Sequence, residues 1–512
     1  MKKKSIFLKM LDGIERVGNA FPNPVTLFII LTFIIIIISE ITARAGLTVT
    51  FETFNAAESR MVEQTVKAIS LLSAAGIRFI VTSFVSNFTT FFPMGTVFTI
   101  MIGVALADKS GFLGAILRRL ARITPKRMLS PVVVLLGVVS NVAGSTGYVV
   151  LVPLGAILFI SFKRHPVAGL AAAFAGVSGG WGANLFISTN DPIIASISTA
   201  AAHILDTGYT VLPIANWYFM AVSAIVITVL GALLTDKVIE PRLGEYSYEG
   251  DVKVDDITAD EKRGLKWAGI ALLVYVSVVM ILLLPENAVL RNPQTGGILV
   301  SPFMSGMIFF MTMLFLISGL AYGIGAKTIK SDRDVVDMMT QTIQSIAGFL
   351  VMIFFSAQFI AYFNFSNLAM ILSVGGAGLL ANIGFVGLPL LVSFIILTTI
   401  INLVFAVDTA KWALMAPIFV PMFMMLGISP ELTQLAYRIG DSSTNMIAPL
   451  MPFFPMFLAF VQRYMKNAGI GTILSLMLPY TVVILVSWIL LFIVWYLLGI
   501  PLGPGSTFVY TM

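Results

Sequence analysis

The feature that most constrains this chain is a series of apolar runs long enough to cross a lipid bilayer. Apolar residues make up 58% of the 512 residues and charged residues only 11%, whereas soluble proteins have about 25% charged residues. Roughly 20 apolar residues in a helix span the hydrocarbon of a bilayer. The sequence therefore predicts an all-α polytopic protein of the cell membrane. The net charge of +6 is explained by loop topology, and we expect no nucleic-acid partner.

We predict about nine full spans and two shorter re-entrant hairpins, with two of the spans broken at mid-membrane. Each hairpin carries a Gly or polar break near its middle, which suits either one long bent helix or two half-helices. The hairpins lie near 131–162 and 389–426. The spans lie near 25–43, 89–107, 166–203, 216–235, 265–284, 303–325, 346–363, 433–461 and 474–499.

The distribution of basic residues favours hairpins over full spans at these two places. With both as hairpins, 24 Lys and Arg residues are cytoplasmic, five are outside, and Lys411 and Arg438 lie within the membrane. Cytoplasmic loops of membrane proteins carry such an excess of basic residues. A full span at 131–162 would place Lys163 and Arg164 outside and invert the rest of the chain. We therefore expect a cytoplasmic N-terminus and an outer C-terminus.

One long charged stretch, 236–264, is predicted to be a cytoplasmic loop between two halves of the chain. The stretch 44–88 is amphipathic and is expected on the outer face, where such a stretch can lie as an interfacial helix. The predicted units are the N-terminal spans with the outer-face segment (1–130), the first hairpin with its broken helix (131–203), scaffold spans (204–388), the second hairpin with its broken helix (389–461), and the last span with an outer tail (462–512).

The two hairpins share a sequence pattern of a hydroxyl, an aromatic residue and two prolines at identical spacing. The matched pairs are Ser145 with Thr409, Tyr148 with Trp412, Pro153 with Pro417, and Pro166 with Pro430. After each second proline comes a helix interrupted by glycines or polar residues. By the predicted topology the hairpins enter from opposite sides, so they form inverted repeats. Paired broken helices in inverted repeats are typical of secondary transporters, which hold substrate and ions near the breaks.

Oxygen-bearing side chains concentrate at the hairpin tips and in the breaks. Such oxygens are the ligands of hard cations, although individual Ser and Thr hydroxyls can equally satisfy unwound backbone. We predict a sodium site at each junction of tip and break, held by Asn141, Asn184, Asn402, Asp441 and Asn445. A carboxylate in a low-dielectric site can also carry a proton. The sequence therefore leaves both sodium and proton coupling open.

Ionisable residues inside a membrane segment cost free energy on insertion and usually line a cavity or a pathway for substrates or ions. The alternative is that these residues lie in a polar loop that joins two helices in water. Arg438 has a planar fork suited to a carboxylate and is predicted to hold an anionic substrate group. Its alternative role is to pair with Asp441, one helical turn away. Trp412 is predicted to stack on an aromatic substrate, although most membrane Trp residues serve packing. Lys411 either extends outward or pairs with Asp408.

Signatures of enzymes are missing from the sequence. It has two histidines and no cysteine, and it contains no HExxH, GxSxG, P-loop or dinucleotide-binding motif. We expect no enzymatic activity and no cofactor. An ion channel is the rival from another functional class, because inverted hairpins also occur in channels. A channel would require a continuous polar pore.

Several long motifs give the chain a resemblance to the AbgT family of p-aminobenzoyl-glutamate transporters. The longest are RHPVAGLAAAFAGVSGGWGANL (164–185) and YRIGDSSTNMIAPLMPFFP (437–455). The resemblance implies a homodimer, similar in plan to sodium-coupled dicarboxylate transporters, with an elevator-like shift of the hairpin domain. It implies p-aminobenzoyl-glutamate, p-aminobenzoate or related aromatic carboxylates as substrates, or sulfonamide efflux. A sodium-coupled carrier of other small carboxylates is the alternative, and the direction of transport stays open.

The resemblance also marks functional positions, namely Asp191, Asn402, Trp412, Pro430, Arg438, Asp441 and Pro449. Family members carry a small Gly/Ser/Ala run before the tryptophan, whereas this chain has Asp408 there, a carboxylate that would change ion coupling or substrate charge. The predicted substrate-contacting residues are Trp412, Arg438, Asp191, Ser145, Thr409, Pro430 and Pro449.

Overall fold

The computed structural model of the chain describes residue 22 and residues 24–55, 60–122, 125, 128–246, 257–298 and 300–511. The basic residues predicted before the first span, and the middle of the predicted cytoplasmic loop (247–256), lie outside the described residues. In the described part, eight helical segments are long and apolar enough to cross a membrane. The predicted all-α polytopic membrane fold is confirmed.

The helices up to residue 243 include the first predicted hairpin, α5 and α6, and the first broken helix, α7 and α8. In chain order the helices are α1 (Pro24–Arg44), α2 (Ala74–Thr89), α3 (Phe92–Lys109), α4 (Phe112–Arg122), α5 (Leu129–Ser140), α6 (Thr146–Ser161), α7 (Pro166–Gly179), α8 (Asn190–Ala202), α9 (Trp217–Leu234) and α10 (Glu240–Leu243). A π-helical turn, Thr235–Ile239, joins α9 to α10.

The helices from residue 259 onward include the second predicted hairpin, α16 and α17, and the second broken helix, α18 and α19. They are α11 (Ala259–Leu283), α12 (Pro302–Ser305), α13 (Met307–Gly325), α14 (Asp332–Phe365), α15 (Leu368–Asn382), α16 (Gly387–Val404), α17 (Asp408–Met424), α18 (Pro430–Thr444), α19 (Phe454–Gln462) and α20 (Ile470–Leu498). Each predicted span and hairpin thus corresponds to a helix or a helix pair, while α4, α10 and α15 were not predicted.

The stretch 44–88 differs from its prediction as an interfacial helix. It begins with two antiparallel strands, β1 (Thr48–Asn55) and β2 (Arg60–Lys67), in which Thr48 lies opposite Lys67. The sequence TVTFETFN is rich in β-branched and aromatic residues and alternates with a period of two, which favours a strand over a helix. Only the end of this stretch is helical, as α2.

Two helices, α7 and α18, are buried along their whole length. Each begins at the second proline of its repeat, so the two repeats place equivalent helices at the centre of the described structure. Glycines allow α7 to approach both arms of the first hairpin. A Cβ added at Gly137 would lie 2.7 Å from Gly176, and one added at Gly155 would lie 2.6 Å from the carbonyl oxygen of Gly169. Small residues permit such close packing between membrane helices.

Candidate functional site

Residues from both halves of the chain line one cavity of about 170 Å³. Its wall includes three aromatic side chains, and two of them, Tyr148 and Phe453, stack with ring centroids 4.3 Å apart. The lining residues are Tyr148, Trp181, Ala406, Val407, Asp408, Thr409, Asn445, Met451, Pro452 and Phe453. They come from α6, from the second hairpin tip and from the breaks of both broken helices. The cavity therefore lies where the two repeats meet.

Asp408 places a carboxylate in the wall of this cavity. Its Oδ2 atom accepts hydrogen bonds from Trp181 Nε1 at 2.8 Å and from Asn190 Nδ2 at 2.5 Å. Its Oδ1 atom accepts one from the Tyr437 hydroxyl at 3.0 Å. Neutral donors thus hold the carboxylate, and within the described part of the chain it forms no ion pair. An extra donor or a cation in the cavity would meet an uncompensated negative charge.

The second junction of tip and break is organised around the ammonium group of Lys411, which is fully buried. Lys411 Nζ donates to Asp441 Oδ1 at 2.6 Å and also to Asn402 Oδ1. The Asn402 amide nitrogen lies 2.9 Å from Asn445 Oδ1 and 3.0 Å from Thr444 Oγ1. The same nitrogen lies 2.7 Å from the Asp441 carbonyl oxygen. The tip of the second hairpin is thereby tied to the break of the second broken helix.

Two predicted partnerships of Lys411 and Asp441 are wrong. Lys411 neither extends outward nor pairs with Asp408, because α17 is packed inside the structure and its Lys411 side chain faces α18. Asp441 does not pair with Arg438 although the two lie one turn apart. Both side chains find oppositely charged partners on other helices, and those contacts replace the local pair.

Arg438 pairs with Asp191, a residue of the first half. Arg438 Nη1 lies 2.6 Å from Asp191 Oδ1, and both side chains are almost completely buried. The other carboxylate oxygen, Oδ2, accepts hydrogen bonds from the backbone nitrogen and the hydroxyl of Ser188, at 2.5 and 2.9 Å. The Arg438 Nε atom has no hydrogen-bond partner among the described residues. The guanidinium does not reach the cavity in this conformation, but it retains a donor.

Trp412, which is predicted to stack on an aromatic substrate, does not line the cavity. Its side chain is fully buried. The Nε1 atom donates to Ser198 Oγ at 3.0 Å, and the ring lies against Tyr437 with centroids 4.4 Å apart. Trp412 therefore joins α17 to α8 through the hydrogen bond of its buried N–H, and to α18 through the contact of its ring with Tyr437.

The first junction, where the tip of the first hairpin meets the break of the first broken helix, differs from the second in its polar contacts. Asn141 Nδ2 donates to the Val177 carbonyl oxygen at 3.1 Å. Asn141 Oδ1 and both amide atoms of Asn184 are buried, with no hydrogen-bond partner among the described residues. Buried polar atoms normally find partners, so these atoms are candidates to bind a ligand. No group of three or more His, Cys, Asp or Glu residues in the described ranges could hold a metal ion.

The remaining predicted site residues have different environments, and one of them lines the cavity. Thr409 lines it, while Ser145 is exposed at the first hairpin tip. Pro430 is buried as the first residue of α18, where a missing N–H costs nothing. Pro449 is half-buried in the second break. Both prolines shape the backbone rather than offer donors.

Sequence reasoning missed Trp181 and Phe453 as cavity residues. Trp181 lies in the glycine-rich break after α7, and Phe453 lies in the break between α18 and α19. The sequence contained a signal for both: they are large aromatic residues in the predicted breaks, where the binding region was predicted to lie.

Comparisons with known proteins agree with this architecture. The model of the "AbgT putative transporter family" matches residues 9–510. The p-aminobenzoyl-glutamate transport protein of Escherichia coli (strain K12) is 38% identical over 497 residues, which cover 97% of this chain and 96% of the relative. The crystal structure of the YdaH transporter of Alcanivorax borkumensis is 40% identical with a TM-score of 0.89, covering 94% of this chain and 100% of that one.

The structure of MtrF of Neisseria gonorrhoeae, described as illuminating a class of antimetabolite efflux pumps, is 42% identical with a TM-score of 0.91. That match covers 97% of this chain and 100% of the other. The similarity therefore extends over nearly the whole length of the chain, including both hairpins and both broken helices. The chain belongs to the AbgT family of transporters.

Proposed function

We propose that the protein is a secondary active transporter of p-aminobenzoyl-glutamate or related aromatic carboxylates, driven by a sodium or proton gradient. The observation that carries this proposal is the cavity between the two repeats, which combines stacked aromatic rings with the carboxylate of Asp408. A flat aromatic ring fits beside Tyr148 and Phe453, because offset and edge contacts between rings are favourable. The printed names of the relatives, a p-aminobenzoyl-glutamate transport protein and an antimetabolite efflux pump, support this substrate class.

The two ends of such a substrate are proposed to meet different charges. The aromatic amine donates to Asp408, which has accepting capacity beyond its three donors. The carboxylate end is assigned to Arg438, whose unpartnered Nε is a donor already inside the protein. Because Arg438 lies outside the cavity wall, this contact requires a movement of the hairpin unit, as an elevator-type mechanism supplies. Thr409 lies beside the aromatic ring in this arrangement.

The residues at the first junction fit a sodium ion. Asn141 and Asn184 provide buried amide oxygens without partners, and amide oxygen is a common ligand of hard cations. A sodium ion there would supply a positive charge that stabilises the junction. At the second junction the Lys411 ammonium already contacts the oxygens of Asn402 and Asp441. Those residues, with Asn445, therefore do not fit an additional sodium ion.

Three further properties belong to the same proposal: a homodimeric assembly, re-entrant hairpins that enter from opposite sides, and a cytoplasmic N-terminus with an outer C-terminus. They rest on the family and on the asymmetric distribution of Lys and Arg. The direction of transport then follows the imposed gradients, so a single protein of this type supports import or efflux.

The test is uptake of radiolabelled p-aminobenzoyl-glutamate into proteoliposomes under imposed sodium or proton gradients of each direction. We expect saturable accumulation that reverses with the driving gradient and that unlabelled p-aminobenzoate inhibits. Liposomes without protein and gradients collapsed by ionophores are the controls. Single-channel currents would contradict a carrier, and uptake that responds to neither gradient would contradict coupling.

Asp408→Ala is expected to weaken binding of p-aminobenzoate about 10- to 100-fold, because a hydrogen bond to a charged group contributes roughly 1.5–3 kcal/mol. The affinity for benzoate, which lacks the amine, should fall much less. The measurement is the inhibition constant of each compound in the uptake assay. Equal losses for the two compounds would show that Asp408 does not contact the amine.

A further inference from the structure

At one position, which faces the junction of tip and break, the two repeats carry residues of very different size and charge. The spacing that matches Ser145 with Thr409 and Tyr148 with Trp412 also matches Gly147 with Lys411. The first repeat is crowded at this position, since a Cβ added at Gly147 would lie 2.0 Å from Ser140 Oγ and 2.8 Å from Ser140 Cβ. The second repeat places a full lysine side chain there, inside the protein.

The Lys411 ammonium has the surroundings of a bound monovalent cation. One carboxylate oxygen, from Asp441, and one amide oxygen, from Asn402, accept its hydrogen bonds. The nitrogen also lies 5.5 Å from the centre of the Tyr437 ring, a distance at which a cation is attracted to the ring face. Carboxylate and amide oxygens are also the groups that hold a sodium ion. Ammonium and sodium carry the same charge, so either one neutralises Asp441.

The orientation of Asn402 agrees with a site built for a positive charge. Its amide nitrogen points at the acceptors of α18 and of the second break, Thr444 Oγ1 and Asn445 Oδ1 among them. Its oxygen is thereby turned towards Lys411. In the first repeat, by contrast, the amide oxygens of Asn141 and Asn184 meet no donor among the described residues.

We propose that Lys411 is a tethered cation, which takes the place of an ion at the second junction and restricts sodium binding to the first. The role of such binding in coupling rests on the proposed transport function, whereas the binding itself does not. The carboxylate of Asp441 is permanently compensated by the chain, so the second junction stays formed at any sodium concentration. Removal of the ammonium alone would convert the junction into a sodium site.

Thermal unfolding of the full chain in detergent tests this proposal. Wild type, Lys411→Met and Lys411→Met/Asp441→Asn are each melted in equal concentrations of NaCl and of N-methyl-D-glucamine chloride, and unfolding is followed by tryptophan fluorescence. Methionine keeps the unbranched apolar stem of the side chain and lacks the ammonium group. We expect sodium to raise the Tm of Lys411→Met on the order of 5 °C more than that of wild type, in a saturable manner. The double variant should return to the wild-type response, because its second junction carries no charge.

Yield gives a second readout if Lys411→Met is too unstable to melt. The three proteins are then extracted in each salt, and the folded fraction is measured by size-exclusion chromatography. Sodium-dependent recovery of the single variant, with sodium-independent recovery of the double variant, supports the tethered cation. A single variant with the wild-type sodium response, or failure of both variants to fold in sodium, overturns it.

Transport is measured separately on the wild-type protein, which keeps the two proposals distinguishable. A larger sodium response in Lys411→Met than in wild type, together with wild-type protein that moves no aromatic carboxylate, would reject the proposed function and leave the tethered cation in place. Sodium-driven uptake by wild type, together with an unchanged sodium response in Lys411→Met, would do the reverse.

Discussion

Arg438→Ala is expected to lower the free energy of unfolding by about 3–5 kcal/mol, the usual effect of removing one partner from a buried ion pair. The cause is Asp191, which is almost completely buried and would keep only the two donors of Ser188. Chemical denaturation in detergent measures this change. Arg438→Met/Asp191→Asn removes both charges and should regain most of the stability. If Arg438→Ala were as stable as wild type, Arg438 and Asp191 would not form a charged pair in the buried interior.

The same variants separate the structural role of Arg438 from its proposed contact with the substrate. Asp191→Asn leaves the guanidinium in place with a neutral partner, so binding of p-aminobenzoyl-glutamate should be retained or tightened. Arg438→Met/Asp191→Asn should fold but lose binding, which equilibrium binding of the radiolabelled substrate measures. Normal binding by the double variant would assign Arg438 to structure alone.

Asp441→Asn is expected to cost about 3 kcal/mol or more, because it leaves the fully buried ammonium of Lys411 without a countercharge. Lys411→Met in the same chain should recover most of that loss. A matched control is Asp260→Asn, which removes the partner of Arg263 at 2.9 Å and of Lys327 at 3.2 Å, where all three side chains are more than 40% exposed. Exposed pairs contribute roughly 0–1 kcal/mol. Equal effects at the buried and the exposed pair would contradict the tight junction described for Lys411.

Hydropathy and spacing predicted the helices of this protein well, because a lipid-facing helix must be apolar over a fixed length. The breaks were also predictable, since glycines and polar residues interrupt the runs after Pro166 and Pro430. The strands β1 and β2 were missed because their short alternating pattern was interpreted as an amphipathic helix.

Partners of buried charges could not be predicted in the same way. Arg438 has Asp441 three residues away, yet it pairs with Asp191, 247 residues away in the chain. Lys411 likewise has Asp408 one turn away and pairs with Asp441 instead. Local spacing shows which pairs are possible, whereas helix packing decides which pairs form. The contacts of Trp412 could not be predicted for the same reason, because its environment is set by α8 and α18.

The pairing of Asp191 with Arg438 has a consequence for biosynthesis. Chains elongate at roughly 5–20 residues per second, so Arg438 leaves the ribosome roughly 12–50 s after Asp191. During this interval α8 has no guanidinium to receive its carboxylate, and Asp408 and Trp412 have not yet joined the first half. The first repeat therefore lacks these contacts until the second repeat has been synthesised. A nascent chain that stops before Arg438 lacks the guanidinium that pairs with Asp191 in the folded protein.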